Sequence, residues 1–447
     1  MERDNHIGIP PHTVTDPQAV LRSPNPPKRT IPTRYWLVFG MFLLSMLLYV
    51  DRVCISAAKD SISSELHFTD KQMGWVLSIF ALGYAIFQVP SGIMADRLGP
   101  RVVLTAVVSF WSLFTAMTAA ATGYVSMLIY RFLFGLGEAG AYPGCARAVY
   151  SWIPMSERGL VQGAMFSGAR FGAAFTLPMV AWMVGHLGWR MSFVVMGVIG
   201  LFWAIFWFFW FRDDPATHPR ISDAERKLIL DARQQAVTGE KDTPPITTGS
   251  LFGSRNVWLL MGQYFASNFT FFFCLTWLLP YLKQRYNLGL VEAGFYAAAP
   301  PLAGALGNWV AGAAIDWIYR RGNWVASRRV PAVFGFTLAA IGLLAGMHMA
   351  TPLGAIICLS IAVFGADMTL APSWSVCIDI GRKHSGTVSG TMNMAGNLGS
   401  FVTALAFPYL LEWTGTHSAF FYVGAVLNVL ALIAWLLTRP DKKLEEY

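Results

Sequence analysis

The segment YWLVFGMFLLSMLLYVDRVCISAA, residues 35–58, is apolar over a length that crosses a bilayer, yet it carries Asp51 and Arg52 side by side. A charge at bilayer depth costs roughly 2.5–3.5 kcal/mol on insertion scales, so a chain that keeps two has a use for them. Eleven further apolar runs follow, each of about 18 to 27 residues, enough for a hydrocarbon core of about 30 Å at about 1.5 Å per residue. Backbone groups in such runs must be satisfied internally, which makes each a helix. The expected fold is an all-α membrane protein of twelve transmembrane helices arranged as two pseudo-symmetric six-helix bundles. The bundles cover 35–211 and 256–438, with a disordered cytoplasmic tail over 1–34, a cytoplasmic linker over 212–255 and a cytoplasmic C-terminal tail over 439–447. Among the spans, the fourth is placed at 125–149, the fifth at 160–185, the sixth at 190–211, the seventh at 256–282 and the tenth at 353–378.

The 447 residues are 55% hydrophobic and 13% charged with a formal net charge of +8, a composition far from that of soluble domains. A basic chain invites a nucleic-acid reading, but that needs a basic face clustered on its own fold. Here the positive charge sorts by side. With both termini cytoplasmic, 24 of the 33 Lys and Arg fall in inside segments and five in outside ones, an orientation set by the positive-inside rule. The remaining four, Arg52, Arg131, Arg147 and Arg170, lie within spans. Cys54, Cys145, Cys274, Cys358 and Cys377 show no paired or metal-type spacing, which argues against disulfides and a metal site. The tail has no apolar core before a cleavage site, so it is not read as a signal peptide. The linker has room for a short amphipathic helix near 221–234, with Ser222 as N-cap and Glu225 three residues on. It is too short to hold a catalytic domain, so no enzyme is expected.

The halves repeat. Gly92, Asp96 and Arg101 follow the second span, and Gly312, Asp316 and Arg321 follow the eighth, all three at one constant displacement along the chain. Internal duplication with a midplane site between the repeats is a transporter pattern. Gly99 allows a tight turn, and Asp96 and Asp316 suit a helix N-terminus. Gly92, Asp96, Arg97, Gly99, Arg101, Asp316 and Arg321 are therefore expected at a gate that breaks and re-forms as the halves rock.

In the fourth span Arg131 and Glu138 lie two helical turns apart, on one face, with Gly135 and Gly137 between them. Small residues admit a neighbouring helix, so this face turns inward. Arg170 sits about ten residues into the fifth span, flanked by Gly168 and Gly172, and is expected to line the cavity and bind substrate. The second half carries no Lys or Arg between Arg329 and Arg382. It offers Asp367, Ser373-Trp374-Ser375, and Asn393 with Asn397 one turn on. Asp367 is the counterpart of Glu138 once the longer loop between the eighth and ninth spans is allowed for. One wall is thus charged and the other neutral and hydrogen-bonding, which suits a molecule with an anionic end and several hydroxyls. Histidine is missing from the middle of every span, so proton carriage falls to carboxylates.

The span region resembles the major facilitator superfamily, and Gly92-x3-Asp96-Arg97-x-Gly99-x-Arg101 looks like its second-to-third loop motif. Tyr49-Val50-Asp51-Arg52, Arg131-x6-Glu138, Pro143 and Ser373-Trp374-Ser375 resemble the anion:cation symporter family, which includes bacterial galactonate, glucarate and hexuronate proton symporters. The resemblance implies that Asp51 and Glu138 exchange protons and that Arg52 and Arg131 couple them to substrate. It implies further that Tyr49, Tyr84, Ser373, Trp374, Ser375 and Asn393 contact the sugar acid. Where sugar-acid symporters carry a glutamine in the fifth span, this chain has Ala169 and Arg170; Asp367 also departs from the pattern.

The expected activity is import of a small carboxylate across a bacterial inner membrane by proton symport with alternating access, the proton being the coupling ion and no cofactor being required. The functional unit is expected to be a monomer in the lipid bilayer. Two proton sites with a monovalent acid make uptake electrogenic. An organic-anion exchanger without proton coupling is the alternative, and a non-transporting nutrient sensor a remoter one.

Overall fold

The computed structural model describes residues 31–232 and 248–444. The expected tail up to residue 30, linker residues 233–247 and the last three residues lie outside them. Every regular element among the described residues is a helix. The first half comprises α1 (Thr33–Ala57), α2 (Lys59–Leu66), α3 (Asp70–Leu98), α4 (Pro100–Thr118), α5 (Tyr124–Glu138), α6 (Ala141–Trp152) and α7 (Arg158–Trp210). The linker contributes α8 (Asp223–Ala232) and α9 (Thr248–Gly253). The second half comprises α10 (Arg255–Thr276), α11 (Leu278–Tyr286), α12 (Leu290–Arg320), α13 (Trp324–Met347), α14 (Pro352–Met368), α15 (Leu370–Gly381), α16 (Ser385–Thr414) and α17 (Ser418–Leu437).

Apart from the short helices α2, α8 and α9, the described helices form twelve rods, several of them broken and one pair merged. α7 is two rods joined at Gly188, whose φ of 76° lies where only glycine is unstrained. The seventh rod bends by 60° between α10 and α11. The fourth and tenth spans, each placed as a single span, break into α5 with α6 and α14 with α15. The cause is the same in both halves. Pro143 and Pro372 have no N–H to return to the carbonyls of Ala139 and Met368, so the helical ladder opens one turn before each. The interval between the two prolines is the interval between Glu138 and Asp367. Both breaks therefore fall beside an acidic residue of the site.

Large apolar side chains face outward: Phe209 is 70% exposed, Trp75 63% and Phe295 79%. Buried polar groups gather in the interior, among them Asp51, Glu138, Asp367 and Asp379, each 1% exposed or less. Apolar outside and polar inside is the arrangement that a lipid solvent selects, and the chain is a multi-pass membrane protein.

The start of α1, the linker helices and the segment after α17 share one end of the bundle, here the linker end; the opposite end is the far end. α8 begins as its sequence suggests, with Ser222 Oγ accepting the Glu225 N–H at 3.2 Å. The Glu225 carboxylate then accepts from the N–H groups of Thr33 and Arg34, both at 2.9 Å, which pins the linker to the start of α1.

Candidate functional site

The halves meet along α3 with α16 and along α7 with α12. At Gly92 an added Cβ would collide with the Gly386 carbonyl, and at Gly163 one would fall 2.5 Å from the Asn308 carbonyl. Only glycine lets these helices close so tightly. Beside each contact an aspartate reaches across. Asp96 accepts from the N–H groups of Gly386 at 2.8 Å and Thr387 at 2.7 Å and from the Thr387 hydroxyl at 2.6 Å. Asp316 accepts from the N–H groups of Gly159 and Leu160, both at 2.9 Å. Neither α7 nor α16 has a side-chain cap of its own. Each half therefore supplies the N-cap of a helix in the other, a charge-assisted contact with the positive end of that helix.

A buried ionic hub joins the halves at the same end. Asp379 holds Arg158 of the first half at 2.5 Å and Arg328 of the second at 2.9 Å, and Trp324 Nε1 donates to it at 3.3 Å. The linker end is thus closed. Of the expected gate residues, Gly92, Asp96 and Asp316 cross between halves. The others act within one half: Arg101 donates through its backbone to Asp213 and through Nε to the Phe208 carbonyl, both at 2.8 Å. Gly99, with φ of 81°, turns against the Asp213 carboxylate, which burial holds above the ordinary carboxylate range. Arg321 lies over Trp317 at 3.6 Å, and Arg97 is exposed.

On the far-end side of these contacts lies a cavity lined by residues of both halves. The first half contributes Tyr49, Arg52, Tyr84, Tyr142, Phe166, Ala169 and Arg170; the second contributes Tyr264, Ser267, Asn268, Phe271, Phe272, Asp367, Leu370, Asn393 and Asn397. Arg52 is the link to the buried charges. Its Nε donates to Glu138 Oε2 at 2.7 Å, while its guanidinium lies 4.6 Å from the Tyr84 ring centre and 5.3 Å from that of Tyr49. Behind it Asp51 is fully buried and accepts from Trp111 Nε1 at 3.1 Å. Arg131 rests over Phe134 at 4.5 Å and Phe80 at 5.5 Å. Asp51 Oδ1, Glu138 Oε1, Arg52 Nη2 and Arg131 Nε have no hydrogen-bond partner among the described residues. A half-satisfied buried network favours rearrangement.

Opposite, Asn393 donates to the Tyr84 hydroxyl at 3.3 Å and to Gln88 Oε1 at 3.0 Å, tying α16 to α3. Arg170 makes a two-point bridge to Asp367, Nε to Oδ2 at 2.7 Å and Nη2 to Oδ1 at 2.6 Å. The second wall is therefore not neutral, as expected from sequence, since Asp367 stands in it; it carries no basic residue.

Four residues expected to touch substrate are set back from the lining. Arg131 is held among aromatic rings. Ser373 donates to Gln263 at 3.1 Å and to the Thr369 carbonyl at 2.6 Å, and Ser375 is fully buried. Trp374 is fully buried beneath the floor, with its Nε1 on the Tyr264 hydroxyl at 2.9 Å and its ring against Tyr142 and Phe166. The reason is the break before α15, which lets this turn pack inward. Tyr142, Phe166, Tyr264, Ser267 and Asn268 line the cavity unforeseen. Tyr142 had a signal, its place beside Pro143; the others look in sequence like ordinary span residues.

The Major Facilitator Superfamily model matches residues 41–404. A probable sulfoacetate transporter of Cupriavidus necator is 35% identical over 431 residues, covering 94% of this chain and 98% of that protein. A probable galactarate/D-glucarate transporter of Bacillus subtilis is 31% identical, covering 94% and 95%. The D-galactonate transporter of Escherichia coli O6:H1 is 30% identical, covering 92% and 96%. Among solved structures, a proton:xylose symporter shares the fold with a TM-score of 0.76 at 14% identity, covering 92% of this chain and 98% of that one.

Proposed function

This chain belongs to the Major Facilitator Superfamily and is a transporter rather than an enzyme, and from that premise we propose that it imports a small organic acid by proton symport. The observation that carries the reading is the Arg52–Glu138 pair, in which a cavity-lining guanidinium is held at 2.7 Å by a carboxylate buried behind it. Protonation of Glu138 removes the charge that holds Arg52, and the freed guanidinium takes the anion of the acid. Asp51, buried beside the same cluster, is the second proton site, and Arg131 balances whichever carboxylate is ionised. Tyr49, Tyr84, Asn393 and Asn397 supply hydrogen bonds to hydroxyls.

Relatives named for galactarate, glucarate, galactonate and sulfoacetate support an acidic substrate, and the sugar-acid class fits the cavity's polar lining. Loading at the far end and release at the linker end complete an alternating-access cycle. The linker end, bearing both termini, faces the cytoplasm of a bacterial inner membrane, and each chain works as a monomer with the proton as its only coupling ion.

The test is uptake by reconstituted vesicles under an imposed pH gradient. Wild-type protein accumulates the acid, whereas Glu138→Gln loses accumulation and retains counterflow. Wild-type uptake that ignores the gradient sinks proton coupling and leaves exchange of organic anions as the mechanism.

A further inference from the structure

The cavity holds two guanidinium groups, and Arg52 accounts for only one. Arg170 and its partner Asp367 come from opposite halves, both line the cavity, and they are 6% and 1% exposed. Asp367 engages Nε and Nη2 of Arg170, while Asn308 Nδ2 lies 3.4 Å from Asp367 Oδ2. The Phe271 ring centre, 3.5 Å from Arg170, fixes the plane of the guanidinium. Nη1 makes no hydrogen bond among the described residues. A guanidinium held on one edge and free on the other is a preorganised receptor for an oxyanion.

Charge balance points the same way. Three arginines, Arg52, Arg131 and Arg170, face three carboxylates, Asp51, Glu138 and Asp367, in and around the cavity. With all six ionised the cluster is neutral. If Asp51 and Glu138 each take a proton, two positive charges remain in excess. Uncompensated buried charge is strongly unfavourable, so the loaded site is balanced by two negative charges on its ligand.

We propose that Arg170, held by Asp367, is a second anion subsite that selects small organic acids with two anionic groups, one bound at Arg52 and the other at Arg170. The proposal rests on the acid-transport reading above and narrows it to dianions. Import of a dianion with two protons moves no net charge, unlike the electrogenic uptake expected for a monovalent acid.

The test compares binding of matched ligands to purified protein: D-glucarate against D-gluconate, and sulfoacetate against acetate. In wild-type protein at least one dianion binds tighter than its monoanion by roughly tenfold or more, the scale of a hydrogen-bonded charge. The double variant Arg170→Gln, Asp367→Asn removes both charges together and strands neither, so it keeps the fold. In it the preference falls below about threefold. Equal binding of both members of each pair by wild type, or a preference that survives in the double variant, overturns the proposal. Binding of none of the four ligands overturns the acid-transport reading itself, and the subsite with it.

Discussion

Replacing Asp379 by Asn should open the linker end, and the structure bounds the effect. Only bonds that cross between halves distinguish closed from open, because Arg328 and Trp324 travel with Asp379. The crossing bond is Arg158 to Asp379 at 2.5 Å, between side chains 1% and 0% exposed. Hydrogen bonds to charged groups contribute about 1.5–3 kcal/mol net. Asparagine also strands Arg158 as a buried charge whenever the gate closes, which raises the cost towards about 3–5 kcal/mol. At about 1.4 kcal/mol per tenfold, the open-to-closed ratio rises by roughly tenfold to a few thousandfold. Spin labels at the exposed positions Thr217, in the part of the linker that His218 packs onto the first half, and Asn323 of the second half report the separation by pulsed electron resonance. A longer-distance population should grow in Asp379→Asn, and Arg158→Gln, which also breaks the crossing bond, should shift it in the same direction. An unchanged distance distribution in Asp379→Asn refutes the assignment of Asp379 as the hub of closure.

Three further outcomes are expected. Gly92→Ala places a methyl group against the Gly386 carbonyl, so transport should fall by tenfold or more, on the order of the 1–3 kcal/mol that overpacking costs, with membrane abundance preserved; near-normal transport would show that α3 and α16 do not close so tightly. His218 is buried against Trp152 and Trp210, and that burial, with Arg212 and Arg220 nearby, holds its pKa below the ordinary 6.5. The unfolded chain then binds the proton more tightly, so the stabilisation is present above about pH 6.5 and is lost as pH falls below it; thermal unfolding from pH 7.5 to 5 should show this slope, and His218→Gln should flatten it. Glu225→Gln weakens the bonds to Thr33 and Arg34, so limited proteolysis should cut the linker several times faster, as the loss of about 1 kcal/mol of docking requires.

What could be read from sequence follows from what a bilayer imposes. Apolar length gave the rods, and the matched spacing of Asp96 and Asp316 with their neighbours gave the duplication, because lipid leaves few ways to span it. Asp51, Arg52, Arg131 and Glu138 stood out because charge at depth is rare. The pairings did not stand out. Arg170 and Asp367 were each noticed but not joined, since their bridge depends on how two halves far apart in sequence dock. Arg158 counted only as one more inside charge, and Asp379 fell just past the tenth span and drew no reading, because hydropathy does not distinguish a solvated end from a buried interface. Ser373 and Trp374 were read as facing substrate from the motif they share with the family, whereas the turn imposed by Pro372 rotates them inward, an effect of backbone geometry that the motif does not carry.

The crosswise capping has a consequence for ancestry. Asp96 reaches the amides of Gly386 and Thr387, and Asp316 reaches those of Gly159 and Leu160; acceptors and donors are each related by nearly the same displacement. Such a contact, made twice with exchanged roles, is what an isologous two-fold dimer makes. A six-helix ancestor could thus have closed upon its own copy before any linker joined them. The Arg158–Asp379 lock has no twin, since Ser385, immediately before Gly386, stands where the duplication would repeat Arg158, immediately before Gly159. Fusion freed the two copies to diverge, so that one wall of the cavity carries both of its arginines and the other none.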